Sequence, residues 1–298
     1  MKSQTYYIGV DGGGTKTAFG LFDEDGNCLK QVIKPTCHFL QVGFEGCAKC
    51  LKEGIEELIS ISQPYLPNLK IGIGIAGYGN DLHVKQQLTY YIDKALNGYD
   101  YTLTSDIHIT ILGALNGQNG IAVIAGTGAI AMANLNFELI RCGGWGYQLG
   151  DEGSAYWIGK QLLNRFCYQA DGRDEKTILY DAIMDHFQFS NPYELISKYH
   201  NFENERTTVA QLSKLCSTLA SQGDLTCQNI LIEASKHIVN LVKGLKGYFE
   251  DQPLVTFYGG VFNNDLFKQT FCQELQECTI IEPQYDAMYG AYQFVKEN

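Results

Sequence analysis

Asp11 stands at the mouth of three consecutive glycines in "YIGVDGGGTKTAFG", residues 7–20. Glycine lets backbone N–H groups approach a ligand with no Cβ between, and successive N–H groups in a turn form an anion-binding concavity. Gly12, Gly13 and Gly14 would therefore grip phosphate, flanked by the hydroxyls of Thr15 and Thr17. A divalent cation near Asp11 would offset the remaining charge. A second turn of the same kind, Gly126, Thr127 and Gly128 in "AGTGA", follows another apolar run. Two such turns facing one cleft would hold a chain of phosphates from both sides. Lys16 is either a phosphate contact or a solvated loop lysine. The P-loop does not fit: it needs GxxxxGK[ST] between a strand and a helix, whereas here a strand follows Lys16. The dinucleotide fingerprint also needs a helix after its glycines.

Two more residues have the chemistry of a phosphate-transfer site. Asp106 ends the run "YTLTSD" and opens a helix, which makes it a candidate general base for an attacking hydroxyl. It also reads as a helix N-cap, and the two roles are compatible. Trp145 lies between glycines in "GGWG", which deny it local packing neighbours. That favours a cleft wall, and sugars favour aromatic faces. Glu152 and Ser154 read as helix-capping residues, Tyr156 and Trp157 as packing, and Asn263 as the cap of the next helix.

The elements that must position these residues come in two similar runs. Residues 5–34 read as three strands, with a hairpin turn at "DEDGN". A helix over about 44–62 stops before Pro64 and Pro67. The strand "KIGIGIAG", a helix from "DLHV" capped by Asn80 or Asp81, the strand "YDYTLTSD" and a helix over about 107–116 follow. Then "GIAVIAGTGAIAMANLN" repeats the opening almost element for element, with "ELIRCGGWG" as third strand. A helix-rich stretch at 152–250, the strands "LVTFYGG" and "CTIIEP" and a closing helix complete the chain. The order β-β-β-α-β-α thus occurs twice. Domains are expected at 1–113 and 114–298, with the last helix, about 285–298, packing back on the first. No low-complexity linker separates them, so a ligand cleft between the two is expected.

A chain of 298 residues, 45% hydrophobic, can bury two cores. Its net charge of −11 repels nucleic acid and anionic membrane, so neither is an expected partner. No apolar run approaches the roughly 20 residues of a membrane helix, and the N-terminus enters a strand with no signal peptide before it, so a cytoplasmic protein is expected. Ten scattered cysteines do not form a disulfide framework. Cys47 and Cys50 in "CAKC" would be half a metal site, but no second CxxC follows and the pair sits in helical periodicity; both read as ordinary thiols.

"DGGGTKT", "AGTGA" and "YGGVFNN" resemble the two phosphate motifs and the adenosine motif of the actin–hexokinase–heat-shock-protein ATPase superfamily. "RCGGWGYQLGDEGSAYWIG", residues 141–159, resembles the N-acetylglucosamine kinases of the BadF/BadG/BcrA/BcrD ATPase family. The resemblance runs from Ile8 to about Gly290 and is weakest over 160–250. It implies an α/β fold of two ribonuclease H-like (actin-like ATPase) domains with an interdomain cleft; since the two glycine turns lie in different repeats, they can converge only if the halves close on the substrate. It implies ATP and Mg²⁺ as cofactors, transfer to the 6-hydroxyl of N-acetylglucosamine or a close relative, and a homodimer. By the same resemblance Asp106 is the base, Asp11 organises Mg²⁺ through water, and Thr15 touches phosphate. Thr127 reaches the sugar, as do Gly144, Trp145 and Gly146, with Asp151 on a sugar hydroxyl. Gly259 and Gly260 match the adenosine site. His38 matches the family's sugar loop, but Cys37 stands where an asparagine is expected. A thiol is a poor substitute for an amide that donates and accepts, so N-acetylmuramate and glucosamine are alternative substrates. The rival readings are a dehydratase-activating ATPase, which "AGYGN" at 76–80 faintly resembles though no matching cysteine pattern is present, and a non-catalytic sugar sensor or actin-like structural protein. No basic DNA-binding extension supports a regulator.

Overall fold

The computed structural model describes residues 5–62, 68–79 and 81–297. The proline region at 64–67 and Asn80, invoked above as helix stop and cap, lie outside them. Contacts divide the chain into two units. The first comprises residues up to 119, 134–139 and from 282 onward; the second comprises 120–133 and 140–281. The division thus falls at 119/120, not 113/114, and the hairpin tip at 134–139 belongs with the first unit.

In the first unit β1 (Tyr6–Gly12), β2 (Lys16–Phe22), β3 (Cys28–Pro35), β4 (Leu69–Ile75) and β5 (Asp100–Ser105) form one sheet in the order β3-β2-β1-β4-β5. β1–β2 and β2–β3 pair antiparallel; β1–β4 and β4–β5 pair parallel. Asp23 fastens the β2–β3 hairpin by accepting from the amides of Asp25 and Asn27. Strand side chains alternate between faces. Ile8, Val10, Ile71 and Ile73 are buried in one cluster with Leu51, Ile55 and Leu58 of α1 (Phe39–Ser62) and Leu88 and Ile92 of α2 (Leu82–Ala95). α1 is broken at Gly43, φ 72°, so its regular part starts at 44, and Asp81 caps α2 through Val84 N.

The opposite face is cut for a helix. Gly20, Gly9 and Gly72 sit side by side across β2, β1 and β4. A Cβ at Gly9 or Gly72 would collide with the carbonyls of Met288 or Ala291, and one at Gly20 with the Met288 sulfur. This glycine row lets α10 (Ala287–Glu297) lie directly on the sheet, sealed by Tyr7, Phe22, Met288 and Tyr292. α3 (Asp106–Ala114) packs beside α10, where Gly290 meets the Ile109 carbonyl with no room for a Cβ.

In the second unit β6 (Gly120–Ala125), β7 (Ala129–Leu135), β8 (Glu138–Gly143), β9 (Leu254–Tyr258) and β10 (Thr279–Ile280) order as β10-β9-β6-β7-β8. The helix-rich stretch resolves into α4 (Ala155–Ala170), α5 (Ile178–Phe187), α6 (Glu194–His200), α7 (Glu205–Ser221) and α8 (Leu225–Lys246), and α9 (Asp265–Glu274) follows β9. Gly159 lets α4 approach the Val209 carbonyl of α7. Phe166, Leu212, Leu231 and Ile238 are buried where these helices meet. Among the described residues no helix is long and apolar enough to cross a membrane.

Candidate functional site

In the first unit the sequence-picked residues gather at the C-terminal ends of β1 and β5, where open α/β sheets hold ligands. The first glycine turn is closed by Gly13 N donating to Lys16 O. The loop after β3 ties it from outside: Thr36 Oγ1 donates to Gly13 O at 2.9 Å, and Gln41 Nε2 donates to Gly14 O at 2.7 Å. Thr17 is buried and donates to Pro35 O, a structural role. Thr15 and Lys16 are exposed.

Asp11 follows the glycine row and shares its face of the sheet. Its neighbours in register, Ala18 and Gly74, are too small to pair with it, and its carboxylate makes no hydrogen bond among the described residues. Burial first, then the negative charges of Asp106 and Asp286, push its pKa up, while Lys16 pulls it down. No three His, Cys, Asp or Glu side chains gather as direct ligands of one ion among the described residues. A single carboxylate without a hydrogen-bond partner, in the field of two other acids, suits a cation held mainly by water and phosphate, as Mg²⁺ usually is.

Asp106 departs from the capping alternative. The N-cap of α3 is Ser105, whose Oγ accepts from His108 N at 3.2 Å. The Asp106 carboxylate accepts from the adjacent Ile107 N and from its own backbone amide. Its pKa is raised by burial, against backbone hydrogen bonds and nearby His38, which lower it. His38 Nδ1 accepts from Leu40 N at 3.2 Å, which leaves Nε2 as the ring's donor. The neighbouring Cys37 points the other way. It is fully buried under Gly12, where a Cβ would come within 2.7 Å of its sulfur, and it hydrogen-bonds to buried Cys47. The departure from asparagine is therefore a core substitution. Cys47 and Cys50 are free thiols on α1.

In the second unit the turn at Gly126–Gly128 docks on the start of α4. Ala155 N donates to Gly126 O and Tyr156 N to Thr127 O, and Ser154 caps the helix through Trp157 N. Thr127 is exposed. Asp151, with φ 58° and a side chain 4% exposed, lies against Gly128, where a Cβ would be 2.5 Å from its Oδ2. Arg206 Nη2 approaches the same carboxylate at 3.6 Å. Gly144 and Gly146 take left-handed φ and present Trp145, 71% exposed, beneath the Arg141 guanidinium. Trp157 and Tyr156 pack as expected, the Tyr156 hydroxyl donating to Glu205.

Gly259, φ 109°, crosses so close to Ala125 O that no side chain fits. Gly260 borders a cavity of about 250 Å³ with an apolar wall of Ile158, Leu231 and Val261 and a polar rim including Ser213, Ser217 and Asn263. A flat base with polar edges matches that lining. Asn263 is not the cap of α9; Asn264 is, through Phe267 N.

Three of the site glycines have no structural reason to be glycine. A Cβ on Gly14, Gly126 or Gly260 would meet nothing within 4 Å, and none of the three has left-handed φ. Sequence reasoning missed Thr36, Gln41, Asp286 and Arg206, whose partners lie far along the chain, and the cavity beside Gly260.

Two five-stranded sheets, each opening on a glycine turn between its first two strands, define an actin-like ATPase fold. The model of the BadF/BadG/BcrA/BcrD ATPase family matches residues 8–295, and the chain belongs to that family. It is 29% identical over 300 residues, covering 96% of each chain, to an N-acetylmuramic acid/N-acetylglucosamine kinase of Clostridium acetobutylicum. It is 27% identical, covering 97% of each, to an N-acetyl-D-glucosamine kinase of Dictyostelium discoideum. A solved structure from Chromobacterium violaceum, provisionally named an N-acetylglucosamine kinase, superposes with TM-score 0.66 at 26% identity over 98% of this chain and 99% of that one.

Proposed function

We propose that this chain transfers the γ-phosphoryl group of ATP to the 6-hydroxyl of N-acetylglucosamine or a near relative. The observation that carries this reading is Asp106: a half-buried carboxylate with raised pKa, relieved of helix capping by Ser105 and set beside His38 and Asp11. Such a carboxylate can take the proton of a sugar hydroxyl as its oxygen attacks phosphorus, with ADP leaving. The names of the relatives above support an amino-sugar acceptor. Asp11 would hold Mg²⁺ through water; when bound, the ion offsets charge on the phosphate oxygens. Gly12–Gly14, Thr15, Gly126–Gly128 and Gly259–Gly260 would take the nucleotide. His38, Thr127, Gly144–Gly146 and Asp151 would take the sugar. A cytoplasmic location and a homodimer are part of the reading, and the homodimer rests on family resemblance alone.

The test is ADP release coupled to a dehydrogenase, over glucose, glucosamine, N-acetylglucosamine and N-acetylmannosamine. Turnover led by N-acetylglucosamine is expected, with the product carrying phosphate on O6. Sugar-independent ATP hydrolysis with no phosphosugar would overturn the reading.

A further inference from the structure

Arg206, the second residue of α7, sits at the expected sugar loop without a complete set of partners. Its contact to Asp151 Oδ2, 3.6 Å, is an ion pair too long for a hydrogen bond. It makes no hydrogen bond among the described residues, so five N–H donors have no protein acceptor. Its side chain is 45% exposed, and its guanidinium lies 5.7 Å from the Tyr147 ring centroid. Glu205, next in sequence, does not serve it, because the hydroxyls of Tyr156 and Tyr199 both donate to Glu205 Oε1 at 2.6 Å. The loop's other arginine, Arg141, is committed to the carbonyls of Gly143 and Gly144. A Cβ on Gly128 would come within 2.8 Å of Arg206 Nη2, so the guanidinium reaches the backbone of the second glycine turn.

Asp151 is the only charge partner of Arg206 among the described residues, and a neutral sugar would bring no anionic acceptor to its open N–H donors. On a chain of net charge −11, a half-open arginine edge is also where an anionic acceptor would find local attraction. Arginine presents a planar fork that suits a carboxylate. We propose that Arg206 binds a carboxylate on the sugar, so that the acceptor site takes an N-acetylhexosamine carrying a carboxyalkyl ether, the chemistry of N-acetylmuramate. This rests on the kinase reading above. The transferring phosphoryl group is the other oxyanion that this fork could meet.

The experiment compares N-acetylmuramate, its methyl ester and N-acetylglucosamine as acceptors for the wild-type chain, Arg206→Gln and Arg206→Lys. Wild type is expected to favour the acid over the ester by about 10- to 100-fold in kcat/KM, the range of one charge-assisted hydrogen bond. Arg206→Gln should bring that ratio near one, and Arg206→Lys should restore part of it, with the ester-to-N-acetylglucosamine ratio unmoved. No preference for the acid in a wild type that phosphorylates N-acetylglucosamine overturns the inference and leaves the kinase reading intact. An equal fall in kcat for all three acceptors in Arg206→Gln also overturns it and assigns the arginine to the phosphoryl group. No turnover of any sugar overturns the kinase reading itself.

Discussion

Asp106 and Asp11 are both carboxylates with raised pKa, and they are expected to respond differently to substitution. Asp106→Asn keeps size and leaves the Ser105 cap untouched, so the protein should fold normally. Its kcat should fall by roughly 10²–10⁴-fold, the usual contribution of a positioned base, with KM for ATP nearly unchanged. Near-normal turnover would place the base elsewhere. For Asp11 the measurable consequence is stability. Its folded pKa lies above its unfolded value, so between the two the folded state binds more protons and stability falls as pH rises. Above the folded pKa the full penalty is in force. Asp11→Asn should therefore raise Tm at pH 7 while abolishing Mg²⁺-dependent turnover, and its gain should shrink as pH falls through the window. A lower Tm at pH 7 would mean that the carboxylate stabilises the fold. The unexplained glycines give a further contrast. Gly14→Ala and Gly126→Ala meet open space at ordinary φ. Each should leave stability unchanged or raise it by about 0.4–1 kcal/mol while weakening ATP binding, read by melting and calorimetry. Loss of stability with intact ATP affinity would reverse the assignment.

At the scale of elements, the site depends on how closely α10 lies on its sheet. The row Gly20, Gly9 and Gly72 sets that distance, and the segment entering α10 carries Asp286, whose Oδ1 accepts from Tyr289 N. Gly72→Ala would push a methyl into the Ala291 carbonyl, and overpacking of this kind costs about 1–3 kcal/mol. Thermal unfolding should register that loss. Because the lifted helix moves Asp286, turnover should fall as well, even though Gly72 itself is remote from any ligand. An unchanged Tm would mean that the helix yields freely and that the row does not determine its position.

For the molecule as a whole, a net charge of −11 must be reconciled with a polyanionic nucleotide. Backbone amides are the proposed donors, and they carry partial charges that act at contact range, whereas the acidic surface acts over a Debye length. Raising salt from about 10 mM, where that length is about 30 Å, to about 150 mM, where it is about 8 Å, screens mainly the repulsion. KM for MgATP should stay level or fall over that range. A steep rise would point to a lysine-lined site instead. The same surface gives any anionic sugar a reason to need Arg206.

Strand runs, the two glycine turns and the doubled β-β-β-α-β-α order were legible in the sequence because each depends on residues a few positions apart. Alternation shows a strand, and Gly-rich breaks show where backbone must be bare. The family stretch at 141–159 was legible for the same local reason. What only the tertiary structure decided depends on direction and on distant partners. Whether Ser105 or Asp106 caps α3 turns on the backbone angle at one residue, and Asn263 and Asn264 pose the same ambiguity. Cys37 and His38 are adjacent, yet one faces the core and the other the site, since consecutive side chains leave the backbone in different directions. Arg206 meets Asp151, and the charge of Asp286 reaches Asp11, only because packed helices and sheets bring separate parts of the chain together, and no local pattern encodes those meetings.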